Sequence, residues 1–93
     1  MPIITLSLTC EACPEQYDAY LDGQQVGYLR LRHGQFTVEV PDVGGKCIYE
    51  SHRMDGDGEF TDAERPRFLQ AAVEAIAAEV GLATGEAVAY IIQ

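Results

Sequence analysis

The chain of 93 residues contains few basic side chains, and this scarcity excludes whole classes of partner. Six lysines and arginines face fifteen aspartates and glutamates, which gives a net charge of -9. Proteins that hold DNA or RNA nonspecifically need clustered positive charge to displace counterions from the phosphates. Anionic membrane surfaces repel an acidic protein for a related reason. We therefore expect no direct contact with nucleic acid or membrane, and attraction to a protein partner with a basic surface.

Long apolar runs and a paired set of cysteines are also missing. No stretch approaches the roughly 18 apolar residues of a membrane helix. The opening MPIIT lacks the basic region and the long apolar stretch of a signal peptide. Three cysteines cannot all pair within one chain, which argues against a disulfide framework. With 47% apolar residues, the composition predicts one folded domain, residues 1–93, in a cytoplasm.

Alternation of apolar and polar residues predicts a series of short strands. Two of the connections between strands contain residues that favour tight turns, Asp22-Gly23 and His33-Gly34. The strands that they join are therefore expected to pair antiparallel. The predicted strands are 3–9, 17–21, 26–33, 36–40 and 47–51.

A single long helix follows the predicted strands. Its apolar stripe consists of Phe68, Leu69, Ala72, Val73, Ile76, Ala77 and Val80. Gly81 is placed to end the helix, and Pro66 in the first turn leaves its start near Asp62 or at Glu64. The sequence of residues 86–92 predicts a final strand. The expected fold is α+β: an antiparallel meander of about five strands, with the helix packed on one face and a C-terminal strand.

The segment at 55–64, DGDGEFTDAE, alternates oxygen-bearing side chains around glycines and ends in a glutamate. It resembles the last ten positions of an EF-hand calcium loop. The resemblance implies calcium as the cofactor, and Arg53 stands where an EF-hand has its first carboxylate. The implied calcium ligands are Asp55, Asp57, Glu59 through its carbonyl, Thr61 and Glu64.

The same segment has a second interpretation that requires no ion. Thr61 and Glu64 have the spacing of a capping box, in which each side chain binds the backbone amide of the other residue. Asp-Gly-Asp-Gly is also suited to turns, and acidic residues favour the start of a helix. The sequence leaves both interpretations open.

Cysteine spacing suggests a second metal site. Cys10-x-x-Cys13, together with Cys47 and His52, would supply the three sulfurs and one imidazole of tetrahedral zinc. In a regular strand, Cys47 and His52 point to opposite faces unless a bulge intervenes. The alternative is that these are ordinary buried cysteines.

A further candidate surface is a sheet face that carries tyrosine and arginine. If Leu29 and Leu31 point inward, their strand neighbours point outward, and tyrosine and arginine are favoured anchors of interfaces. The candidate residues are Tyr20, Tyr28, Arg30, Arg32 and Tyr49. The alternative is an ordinary solvent-exposed sheet face.

No nucleophile and base can be assembled from the sequence, so we expect a protein that is not an enzyme. The sequence predicts an acidic interaction protein that contacts its partner through Glu50, Asp55, Asp57, Glu59, Asp62 and Glu64. In size and charge, the chain resembles small acidic phage-encoded accessory proteins. That resemblance implies an inhibitor that occupies the basic, nucleic-acid-binding surface of a host defence protein. The alternative function is a calcium- or zinc-binding module.

Overall fold

The computed structural model describes residues 2–10, 15–52, 60–81 and 88–93. In these parts of the chain it contains a six-stranded sheet and one helix, which confirms the predicted α+β class. The elements are β1 (Ile3–Cys10), β2 (Glu15–Leu21), β3 (Gln24–Arg32), β4 (Gln35–Val40), β5 (Lys46–Ser51), α1 (Glu64–Glu79) and β6 (Ala89–Ile92).

The strand order across the sheet is β5-β4-β3-β2-β1-β6. The first five strands form the predicted antiparallel meander, because each pairs with its neighbour in the chain. The last strand, β6, pairs parallel to β1 at the far edge of the sheet. A parallel partner requires a crossover connection, and α1 lies in the connection that leads from β5 to β6.

Two hairpin turns set the register of the central strands. Asp22 and Gly23 have φ values of 53° and 83°, and His33 and Gly34 have φ values of 53° and 73°. Positive φ at both central residues defines the type I′ turn, whose twist suits a two-residue hairpin. The predicted turns therefore occur, and they join β2 to β3 and β3 to β4.

The register places one apolar face of the sheet against α1. Leu29 lies opposite Tyr17 on one side and Val38 on the other, and all three are buried. Five residues of the predicted helical stripe are buried, Leu69, Ala72, Val73, Ile76 and Ala77, and Phe68 is partly buried against them.

Helix and sheet are in close contact at Gly27. A Cβ at this position would lie 2.6 Å from Cδ1 of Ile76, so a glycine permits the contact. The helix ends where the sequence predicts, since Gly81 has a φ of 80° and its amide bonds to the carbonyl of Ala78. Val80 lies beyond the last helical residue and is 41% exposed, so its predicted place in the buried stripe is wrong.

α1 has 16 residues and includes charged side chains. Within the described ranges, no helix has the length and apolar character needed to span a membrane.

Candidate functional site

The start of α1 contains the predicted capping box. The amide of Thr61 donates to Oε1 of Glu64 at 3.0 Å, and the amide of Glu64 donates to Oγ1 of Thr61 at 3.2 Å. The Thr61 carbonyl also accepts from the amides of Glu64 and Arg65. Thr61 thus caps a first turn that leads into the regular helix at Glu64. Glu64 is buried, so its carboxylate serves the helix start and is not part of an exposed surface.

The predicted calcium loop is only partly within the described structure. Asp55, Asp57 and Glu59 lie outside the described residues, as does Arg53. The two remaining predicted ligands, Thr61 and Glu64, bind each other. Among the residues that the structure describes, no group of three or more histidines, cysteines and acids is arranged to hold a metal. Calcium binding by this segment stays a prediction.

A buried ion pair joins the start of α1 to the sheet. The Glu15 side chain, on β2, is 1% exposed and accepts from Nε of Arg65 at 3.0 Å and from Nη2 at 3.3 Å. It also accepts from the hydroxyl of Tyr17 and from the amide of Phe60, the latter at 2.9 Å. Each oxygen of the carboxylate therefore has two donors, which offsets the cost of removing its charge from water.

Arg65 completes the cluster from the helix side. Its Nη2 donates to the carbonyl of Phe60 at 3.0 Å, and its Nη1 donates to Oδ1 of Asp62 at 3.0 Å. Hydrogen bonding to Glu15 raises the pKa of Arg65, and burial followed by the bond to Glu15 raises the pKa of Tyr17. Both backbone polar groups of Phe60 are held by this pair, which fixes the position of the backbone shortly before α1.

The sequence interpretation missed this cluster because it began the second strand at Tyr17. The structure begins that strand two residues earlier, at Glu15. Residues two apart in a strand share a face, so an acid two positions before an inward-facing tyrosine is the signal that could have indicated a buried charge. Its basic partner, Arg65, lies 50 residues away in the sequence and carries no local sign of this role.

The strand order separates the predicted zinc ligands. Cys10 lies on β1 and Cys47 on β5, with β2, β3 and β4 between them. Four strand spacings amount to about 19 Å, far beyond the reach of one zinc ion. The prediction that Cys10 and Cys47 share a zinc site is therefore wrong. Cys13 lies outside the described residues.

A bulge does occur in β5. Val38 pairs with Tyr49 and Glu39 pairs with Cys47, so Ile48 is the extra residue. The bulge places Cys47 on the same face as Glu50, and Nε2 of His52 lies 3.2 Å from Oε1 of Glu50.

Two of the predicted partner-binding residues are exposed within the described structure. The side chain of Asp62 is fully exposed in the turn that precedes α1, and that of Glu50 is 49% exposed near the end of β5. In the sequence they flank residues 53–59, which contain three more of the predicted acids, Asp55, Asp57 and Glu59.

The sheet face away from α1 carries most of the predicted tyrosine and arginine surface. Arg30 pairs across the strands with Thr37 and Arg32 pairs with Gln35, all on this face. Tyr28 shares the face, but it is 8% exposed and its hydroxyl donates to Gln16. Tyr49 is an exception to the prediction, because its register with Val38 puts it on the covered face, edge-on to Phe36 at 5.9 Å.

A groove of about 220 Å³ opens on this outer face. Its walls are formed by Arg30, Arg32, His33, Gln35 and Thr37. All five side chains can donate hydrogen bonds, and two of them carry a permanent positive charge.

Comparison with known proteins identifies no relative of the chain. No family model matches it, and neither a curated protein nor a solved structure shows significant similarity.

Proposed function

We propose that this protein is a binding protein without catalytic activity, which presents an acidic surface at the start of α1 to a protein partner with a basic surface. The surface consists of Glu50, Asp55, Asp57, Glu59 and Asp62. The observation that carries the proposal is the charge balance, fifteen acids against six bases.

The basic residues of the described structure leave this acidic excess in place. Arg65, the base nearest to Asp62, is bound mainly by the buried Glu15. Lys46 pairs with Glu79, near the opposite end of the helix. Arg30 and Arg32 lie on the outer sheet face, and Arg67 is exposed on α1 over the ring of Phe68. An acidic surface of this kind attracts a basic partner, accelerates its association and repels acidic competitors.

Basic protein surfaces often serve to hold nucleic acid, which suggests the class of partner. In this form of the proposal, the protein acts as a phage-type inhibitor that covers the nucleic-acid-binding groove of a defence protein. Because both ligands would use the same basic groove, the protein and the nucleic acid should compete for the partner, and salt should weaken both complexes.

A pair of matched variants tests the proposal. D57K/E59K and E74K/E79K each raise the net charge by the same amount, the first in the proposed surface and the second along the exposed side and end of the helix. Partners are captured from a lysate of the source organism on immobilised wild-type protein, and each captured protein is then titrated against the three forms.

The proposal expects D57K/E59K to abolish binding while E74K/E79K retains it. Equal losses in the two variants would mean that only overall charge matters, and unchanged binding by D57K/E59K would exclude this surface. Thermal unfolding of each variant verifies that the fold is intact.

The proposal of calcium binding is tested separately by measuring the melting temperature with calcium and with a chelator. An ion that binds only the folded protein must raise the melting temperature. An unchanged value at millimolar calcium would leave the segment as a turn and a helix cap.

A further inference from the structure

We infer that the groove on the outer sheet face is an anion site, and that it takes the phosphate group of a small molecule. The residues that line the groove are not those of the acidic surface proposed above, although Glu50 of that surface stands beside the groove. It starts from the two arginines that line the groove. Arg30 and Arg32 are two residues apart on β3, so their side chains leave the same face of the sheet.

The two arginines form no ion pair with any carboxylate of the described residues. The described ion pairs use Lys46, His52 and Arg65 instead. In a chain with more than twice as many acids as bases, two neighbouring arginines without an acidic partner among the described residues are unexpected. Pairing them internally would have required only a carboxylate at a facing position, and the sequence places Thr37 and Gln35 there.

The acids that do share this face are already bound to other donors. Glu39 accepts from the amide of Gly44 at 2.9 Å, and Asp18 accepts from Nε2 of Gln25 at 3.2 Å. Glu50 accepts from Nε2 of Gln35 at 2.9 Å through one oxygen, while its other oxygen faces His52. None of these carboxylates forms an ion pair with Arg30 or Arg32, so both guanidinium groups can still bind a ligand, although each acid keeps its negative charge on the same face.

The donor set favours a phosphate over a carboxylate. A guanidinium group presents two parallel N–H donors, which match two oxygens of either anion. Two guanidinium groups in one groove offer more donors than a carboxylate has oxygens, and His33 and Thr37 add to them. A phosphate monoester presents three terminal oxygens and up to two negative charges, so it can engage both arginines at once.

The geometry also limits the ligand. The groove is open to solvent, so it can enclose a phosphate group but cannot bury a large ligand. For inorganic phosphate alone we expect a dissociation constant on the order of 1 mM. Extended nucleic acid is disfavoured, because the remaining charge of the protein repels a polyanion.

The test uses the whole protein labelled with nitrogen-15 and titrated with inorganic phosphate, at constant ionic strength maintained with chloride. Resonances of the Arg30 and Arg32 side chains, and of the Thr37 amide, should shift and saturate. The variant R30Q/R32Q should bind phosphate at least about tenfold more weakly, since charge-assisted hydrogen bonds are lost. R67Q is the matched control, because Arg67 is an exposed arginine outside the groove that lies over the ring of Phe68.

A third variant reports on the position of the anion. Glu50 pairs with Thr37 across the strands and so stands beside the groove. E50Q removes this negative charge and should tighten phosphate binding by about twofold, as expected for two solvent-exposed charges roughly 8 Å apart that are screened as in bulk water. A phosphate bound elsewhere would be insensitive to this change.

The proposal is overturned if the shifts fail to saturate, or if R30Q/R32Q and R67Q bind phosphate equally. Acetate, titrated in parallel, should bind more weakly than phosphate. Equal saturation by acetate would overturn the assignment to a phosphate. Because R30Q/R32Q leaves the acidic surface unchanged, loss of phosphate binding and loss of a protein partner can be separated.

Discussion

Charged side chains have different roles on the two faces of the sheet. On the covered face, the one buried acid of β2 is surrounded by donors, and Glu15 and Arg65 neutralise each other. On the outer face, Arg30 and Arg32 have no carboxylate partner among the described residues. Charge on the covered face is used to hold the fold, whereas charge on the outer face is left for a ligand.

The difference follows from the way successive side chains of a single strand alternate between the two faces of the sheet. In β3, Leu29 and Leu31 point toward α1 and are fully buried, while Arg30 and Arg32 point away. A polar group enclosed on the first side must find a partner inside the protein, because no water can reach it. Consistent with this, no buried side-chain nitrogen or oxygen of the described residues lacks a hydrogen bond. On the second side water can satisfy the same groups, so an unpaired arginine costs little.

The largest effect is expected from removing the basic half of the buried pair. R65M leaves the carboxylate of Glu15 enclosed without its countercharge, and such a change typically costs about 3–5 kcal/mol. The free energy of unfolding, measured by urea denaturation, should fall by this amount.

Two further variants give this prediction its controls. R67M alters an exposed arginine two residues along the same helix, and it should cost less than about 1 kcal/mol because only a stacking contact with Phe68 is lost. The double variant E15Q/R65M also removes the unpaired charge of Glu15, so it should be more stable than R65M alone. A similar loss in R65M and R67M would contradict the assigned role of the pair.

Most of the fold could be predicted from local sequence signals. Apolar alternation gave the strands, and Asp22-Gly23 and His33-Gly34 gave the turns that order them, because few residues accept positive φ at two successive positions. The parallel pairing of β6 with β1 could not be predicted in this way. It depends on where the crossover returns to the sheet, and this is set by contacts between residues far apart in the sequence.

The candidate sites likewise divide into contacts that local sequence signals predict and contacts that depend on the order of the strands. The capping box of Thr61 and Glu64 is a contact between residues three apart, and its spacing predicted it. The bond between Glu15 and Arg65 and the separation of Cys10 from Cys47 depend on strand order, which no local pattern contains. The outward direction of Arg30 and Arg32 was predictable from alternation, but the absence of a facing acid required the register of β3 with β4.

A second prediction concerns the alkaline limit of the covered face. Because burial and Glu15 raise the pKa of Tyr17, the unfolded chain releases this proton from about pH 10, whereas the folded protein retains it. The folded state then binds more protons than the unfolded state, so the free energy of unfolding should fall as the pH rises above 10. The slope that one such group contributes is at most about 1.4 kcal/mol per pH unit.

Y17F isolates this contribution. The variant should lose about 1 kcal/mol at neutral pH, because the hydrogen bond to Glu15 is removed. Above pH 10 its stability should decline less steeply than that of the wild type, and the two curves should converge. Part of the decline should persist in the variant, since burial also raises the pKa values of Tyr28 and Tyr90. Parallel curves over this range would contradict the assignment to Tyr17.

The smallest effect on stability is expected on the outer face, and it tests whether the arginines there have a structural role. R30Q/R32Q breaks no ion pair of the described residues, so urea denaturation should show a change within about 0.5 kcal/mol. A loss comparable to that of R65M would mean that Arg30 and Arg32 hold the sheet together, and the contrast between the two faces would fail. If the stability of R30Q/R32Q is unchanged and its phosphate binding is lost, the two arginines function in ligand binding. Their charges are then needed for the bound ligand and not for folding.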